Sequence, residues 1–201
     1  MTDTTTGTQG YGAEADVLAV QYESVTFEEV HGELLHLLPA APARVLDIGA
    51  GTGRDAAALA RLGHTVTAAE PTAELRAHAE RLHADTAVSW LDDALPELAG
   101  LRARGERFDL ILITAVWMHL DAAERARAMP NVAELLAPGG TLLMRVRSGP
   151  VPPGRRMFEV PDAETVALAE AAGLRVLHRG GRVDLHGRSG VSWSELGFTR
   201  P

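Results

Sequence analysis

Residues 45–55 read VLDIGAGTGRD, with one carboxylate, Asp47, standing two residues ahead of a turn that carries Gly49, Gly51 and Gly53. A glycine turn between a strand and a helix brings backbone N–H groups and a helix N-terminus to a ligand. By itself this indicates a nucleotide-like ligand. The dinucleotide pattern G-x-G-x-x-G/A is only half met: Gly49 and Gly51 fit, the third position is Arg54, and Gly53 comes one place early. In a dinucleotide site this strand end faces a pyrophosphate, which Asp47 would repel. Asp47 suits a ligand that carries positive charge and no phosphate.

Other residues carry chemistry further along. His119 follows the apolar run FDLILIT and is the best candidate for a general base, since imidazole titrates near working pH; the alternative is local packing or capping beside Asp121. Arg145 and Arg147 alternate along a strand and so project to one face. From Arg145 onward the chain has a local balance of +3, against −11 for the residues before it. This points to an acceptor with a carboxylate or phosphate, clamped by Arg147 and Arg188, against the plainer reading of solvated or locally paired arginines. Tyr11 and Tyr22 are candidates for a lid over the substrate, with Tyr22 as a substrate contact, or for ordinary core or surface positions. His31/His36 and His78/His83 are five apart, which does not align two metal ligands on a helix, so they are expected at the surface and no metal site is expected. The sequence has no cysteine, and all 19 basic residues are arginine. Disulfides, thiolate zinc sites, cysteine nucleophiles, Schiff-base lysines and P-loop lysines are thereby excluded.

The elements that must position these groups follow from pattern. Residues 1 to about 12 are rich in Thr and Gly and are expected to be mobile. Residues 13–38 have helical spacing, with Val17, Leu18 and Val20 and then Leu34, Leu35 and Leu38 as apolar positions. From residue 39 strands and helices alternate: RVLDIG, RDAAALARL, TVTAAE, PTAELRAHAERLH with Leu75, Ala79 and Leu82 on one face, TAVSWL, an irregular crossover, and FDLILIT as the most apolar and central strand. Asp121 and Glu124 predict a capping box for the next helix. PGG turns the chain into TLLMRVR, PDAETVALAEAAG is a last helix, and LRVLHR and VSWSELGFT pair antiparallel across a loop. The 201 residues predict one domain. It is a doubly wound, mostly parallel seven-stranded α/β sheet with an antiparallel C-terminal strand and helices on both faces; residues 1–38 form a flexible segment and helical lid, and 39–201 the core.

VLDIGAGTG resembles the first motif of the class I, Rossmann-like S-adenosylmethionine-dependent methyltransferases, and the rest of the chain follows in order. WLDDALPEL is similar to the family's segment after the third strand, FDLILITAVWMHL to its fourth-strand motif, and LLAPGGTLLMR to the turn and fifth strand. The resemblance covers residues 40 to 147. S-adenosylmethionine has a sulfonium, an α-ammonium and no phosphate, which meets the requirement that Asp47 sets. The resemblance implies a cofactor site of Asp47, Gly49, Gly51 and Gly53, with Glu70 accepting from the ribose hydroxyls and Asp92 or Asp93 meeting the adenine amino group. It implies further contacts from Thr114 and Trp117; core packing is an equal alternative for Trp117.

The residues after the fourth strand, Thr114 to Trp117, lack the Asp/Asn-Pro-Pro-aromatic pattern of enzymes that methylate amino groups of bases. No oxygen-rich magnesium site of the catechol type is visible. The net charge of −8 disfavours nucleic-acid binding. The expected activity is methyl transfer to a small-molecule or peptide acceptor. Two alternatives are a non-catalytic domain that only binds the cofactor and, less favoured because of Asp47 and Arg54, an NAD(P)-dependent oxidoreductase. No apolar run spans a bilayer and the start does not resemble a signal peptide, so a cytoplasmic location is expected. Oligomeric state is not legible.

Overall fold

The computed structural model describes residues 7–201; residues 1–6 of the start expected to be mobile lie outside the described residues. Seven strands form one sheet: β1 (Arg44–Ile48), β2 (Thr65–Ala69), β3 (Val88–Leu91), β4 (Phe108–Thr114), β5 (Leu136–Ser148), β6 (Arg175–Val183) and β7 (Ser192–Thr199), in the order β3-β2-β1-β4-β5-β7-β6. Strands β1 to β5 run parallel, and β7 lies antiparallel between β5 and β6. The chain winds outward from β1 in one direction and from β4 in the other. A crevice therefore opens at the carboxyl ends of β1 and β4, where such sheets bind ligands.

The two faces follow from the period of two along each strand. Leu46, Ile48, Ile111, Ile113, Leu142 and Met144 share one core with α5 (Ala99–Ala103), α6 (Ala122–Leu135) and α7 (Asp162–Ala171). Val45, Val66, Leu110, Leu112 and Leu143 share the other with Phe27 of α2 (Phe27–His31), with Leu34, and with Ala56 and Leu59 of α3 (Arg54–Arg61). Asp47 pairs in register with Leu112, and Leu112 with Leu143. Asp47, Arg145 and Arg147 therefore project to the same face, at the end of the sheet where the apolar row stops.

Four local expectations need correction. Residues 13–38 are not one helix: α1 (Ala15–Tyr22) and α2 are short and separated, with 3-10 turns at Gly12–Glu14 and Gly32–Leu37. Val17 and Val20 are exposed, because α1 buries Ala15, Leu18 and Ala19 instead, with Ala15 and Leu18 against Leu75 of α4 (Ala73–Leu82). Leu82, at the end of α4, is also exposed, whereas Leu75 and Ala79 are buried as expected. The PGG segment lies within β5 as an irregularity: Phe108 pairs with Leu136, then Leu110 with Thr141. Strand β6 runs on through Val183, so the loop between the last two strands is shorter than its glycines suggested.

The capping box at α6 is present. Asp121 accepts from the Glu124 N–H at 2.8 Å, and Glu124 accepts from the Asp121 N–H at 2.7 Å. Asp121→Ala is expected to lower stability by about 1 kcal/mol, read from the urea midpoint at unchanged m-value.

Candidate active site

A cavity of about 360 Å³ opens over the carboxyl ends of β1, β2, β4 and β5, within the range typical of small-molecule sites. Asp47, Gly49, Gly51, Glu70, Asp93 and Thr114 line one end of it.

The Asp47 carboxyl is 2% exposed. Its Oδ2 is buried without a partner among the described residues. Burial, with Asp55 next in effect, pushes its pKa well above the usual carboxylate range, although the Ala56 N–H at the start of α3 acts to lower it. Asp55 behaves oppositely. Burial would raise it too, but His31 Nε2 at 2.8 Å and Arg54 Nε at 2.7 Å hold it well below the ordinary value. Asp47 is thus a desolvated acid beside a compensated one. Gly49, Gly51 and Gly53 all have positive φ (72°, 58° and 85°). A side chain at Gly49 would collide with Val116, and one at Gly53 would stand 2.8 Å from the Trp90 ring.

Glu70, just past β2, is 5% exposed. Its Oε2 accepts the Gly51 N–H at 2.9 Å and its Oε1 the Thr72 N–H at 2.8 Å. Burial raises its pKa against these two bonds. The carboxylate is locked in place with lone pairs left for a ligand. The two aspartates after β3 separate cleanly. Asp92 turns outward and pairs with Arg76 at 3.0 Å, so its cofactor role is withdrawn. Asp93 lines the cavity while its oxygens accept the Ala94 and Leu101 N–H groups at 2.9 and 2.8 Å.

At the end of β4, Thr114 lines the cavity and its buried Oγ1 has no partner. Ala115 then adopts a positive φ of 61° and the chain enters a 3-10 turn over Trp117–His119. This corrects the assignment of Trp117 to the cofactor wall. Its ring is fully buried in the core, its Nε1 donates to Thr165 Oγ1 at 3.2 Å, and it is not among the cavity-lining residues.

His119 does line the cavity. Its Nδ1 lies 2.7 Å from the Arg156 carbonyl oxygen and its Nε2 2.9 Å from the Tyr11 hydroxyl. A carbonyl only accepts, so Nδ1 carries the proton and the lone pair on Nε2 takes the Tyr11 O–H. Burial lowers the His119 pKa, so the ring is a free base at neutral pH. Tyr11 was only one of two lid candidates in the sequence. It lines the cavity beside His119 with the Arg155 guanidinium 4.1 Å over its ring. Tyr22 also lines the cavity, its ring edge against the open face of Gly51. Burial raises both phenol pKa values.

The arginines divide. Arg145 pairs with Glu195 at 3.3 Å, and burial lowers its pKa to about 10. Arg155 pairs with Glu14 at 2.6 Å. Arg188, expected as part of a clamp, is held by Asp184 through contacts at 3.0 and 2.6 Å. Its guanidinium is already neutralised four residues away, so that role is corrected. Arg147 remains, buried and without a carboxylate partner among the described residues.

The histidines were misjudged in part. His31 and His83 are buried, held by Asp55 and by Glu23 at 3.4 Å, while His36 is exposed. Among the described residues no group of three or more His, Cys, Asp or Glu is placed to hold a metal ion, and no helix is long and apolar enough to cross a membrane.

Comparison with known proteins bears on this geometry. Residues 45–140 match the family model described as a methyltransferase domain. This matched segment, just under half of the chain, resembles a methyltransferase domain. An uncharacterised methyltransferase of Mycobacterium tuberculosis is 36% identical to the chain over 113 residues, covering 53% of this chain and 40% of that protein. The ubiquinone biosynthesis O-methyltransferase of Dinoroseobacter shibae is 38% identical over 100 residues, covering 50% and 39%. The chain thus spans about 40% of the length of the curated relatives it matches. The crystal structure of the N-methyltransferase NodS from Bradyrhizobium japonicum superposes with a TM-score of 0.68 at 19% identity, covering 92% of this chain and 98% of that one; at that identity the likeness is one of fold. The matched segment contains Asp47, the glycine turn, Glu70, Asp93, Thr114 and His119. Arg147 and Tyr11 lie outside the matched segment.

Proposed function

We propose that the protein transfers the methyl group of S-adenosylmethionine to a small-molecule or peptide acceptor. The observation that carries this reading is the buried, unpartnered Oδ2 of Asp47 at the glycine turn. A pyrophosphate there would face an uncompensated acid, whereas an ammonium would satisfy it. S-adenosylmethionine supplies, when bound, an electrophilic methyl group on a sulfonium. On this reading Asp47 and the turn hold the amino-acid end of the cofactor, Glu70 accepts from the ribose hydroxyls, and Asp93 faces the adenine. Thr114 lies between cofactor and acceptor. The acceptor's proton passes to the Tyr11 oxygen as the Tyr11 O–H proton moves to His119 Nε2, which leaves His119 as the imidazolium. Tyr22 covers the glycine turn and helps exclude water. The net charge of −8 argues against a nucleic-acid acceptor.

The direct test compares S-adenosylhomocysteine with NAD. A ligand at 100 times its dissociation constant stabilises by about 2.7 kcal/mol, so only S-adenosylhomocysteine is expected to raise the melting temperature. An equal rise with NAD would sink the reading. Glu70→Ala is expected to weaken S-adenosylhomocysteine about tenfold or more, the loss of charge-assisted bonds worth roughly 1.5–3 kcal/mol. Unchanged affinity by calorimetry would take Glu70 off the ribose.

A further inference from the structure

The part of the cavity lined by Arg145, Arg147, Arg155 and Arg188 has an unbalanced charge. Arg145, Arg155 and Arg188 each have a carboxylate at 3.3 Å or less, from Glu195, Glu14 and Asp184. Arg147 has none. It is 7% exposed. One terminal nitrogen donates to the Pro150 carbonyl at 2.8 Å, the other approaches Met157 Sδ at 3.7 Å, and the buried Nε has no partner. Burial lowers its pKa, with the neighbouring Arg188 next in effect. A guanidinium offers five N–H donors, and two lie near a protein acceptor. Burying such a charge unpaired is costly. It is tolerable where a ligand completes it.

Beside the paired arginines and their carboxylates, this part of the cavity presents Tyr11, Met157, Leu185 and Trp193 as apolar and aromatic surface. We propose that Arg147 binds a carboxylate of the acceptor, and that the acceptor is a small monoanionic acid with an apolar or aromatic body. The proposal rests on the methyl-transfer reading and names its substrate class. The single uncompensated positive charge selects a monoanion over a phosphate monoester, whose second charge would have no counterpart. The planar fork of Arg147 matches a carboxylate edge.

Benzoate and inorganic phosphate serve as probes. Binding of S-adenosylhomocysteine to the wild type is measured first and reports on the cofactor reading alone; its failure would leave the benzoate result decisive for the anion site. Benzoate is expected to bind the wild type and to shift the Arg147 Nε–H resonance in the NMR spectrum. Arg147→Met keeps much of the apolar stem and is expected to weaken benzoate about tenfold or more, by loss of charge-assisted bonds, while leaving S-adenosylhomocysteine affinity unchanged, which also shows that the variant is folded. Equal benzoate affinity in Arg147→Met, or an unmoved Nε–H resonance at saturating benzoate, overturns the proposal. Phosphate binding at Arg147 more tightly than benzoate overturns the monoanion assignment.

Discussion

Replacing His119 by alanine is expected to lower turnover about 10²-fold or more while leaving S-adenosylhomocysteine affinity unchanged. The Arg156 carbonyl fixes the proton on Nδ1 and leaves Nε2 free to accept through Tyr11. Burial depresses the pKa of the ring, and the guanidinium groups of Arg155, Arg147 and Arg156 act in the same direction. The base form therefore persists below the ordinary histidine value of about 6.5. The acid limb of kcat/KM is expected below that pH. Linkage has the corresponding sign: this group's contribution to stability is complete above about pH 6.5 and is lost as pH falls through the depressed folded value. Steady-state rates of wild type and variant across pH check both statements. Full turnover by the variant would reduce His119 to a packing residue, and an acid limb above pH ~6.5 would contradict its burial as a free base.

Trp117→Ala is expected to cost roughly 3–5 kcal/mol of unfolding free energy, the usual cost of emptying a large aromatic site in a core. The ring is fully buried and its Nε1 donates to Thr165 Oγ1, which is itself buried. Denaturant unfolding followed by circular dichroism measures the loss. A variant within about 1 kcal/mol of wild type would mean that Trp117 sits at a surface able to collapse or hydrate.

Trp117 also shows where the sequence stops being legible. Up to Thr114 the period of two holds, and the strands and their order can be read from apolar runs separated by glycine turns and amphipathic helices. Beyond it the positive φ of Ala115 starts a 3-10 turn. Successive residues there are rotated by about 120°, so Trp117 and His119 part company and one enters the core while the other meets the cavity. No strand or helix rule anticipates that split. Tyr11 was indistinct because its partners, His119 and Arg155, lie more than a hundred residues away in sequence. Arg188 misled for the opposite reason, since its partner, Asp184, is only four residues back. Of the adjacent acids Asp92 and Asp93, the outcome depended on Arg76, on the neighbouring helix α4, claiming the first. The glycine turn, Asp47 and Glu70 were legible because backbone geometry and charge restrict what can stand there.

The register that sets Asp47, Leu112 and Leu143 in one row, with Arg147 four residues further along β5, gives the cavity two electrical poles. Strands β1 and β5 are separated only by β4, roughly 10 Å at ordinary strand spacing. Asp47, whose charge burial disfavours until a cation meets it, thus lines one part of the cleft and the Arg147 guanidinium another. On the methyl-transfer reading, a cationic donor and an anionic acceptor entering it would be drawn to opposite ends before any hydrogen bond forms, and the reverse arrangement would meet repulsion at both. On the same reading the polarity would also change with the reaction: loss of the sulfonium charge would leave the spent cofactor held less strongly near the acid than the fresh one, which would favour exchange of product for substrate.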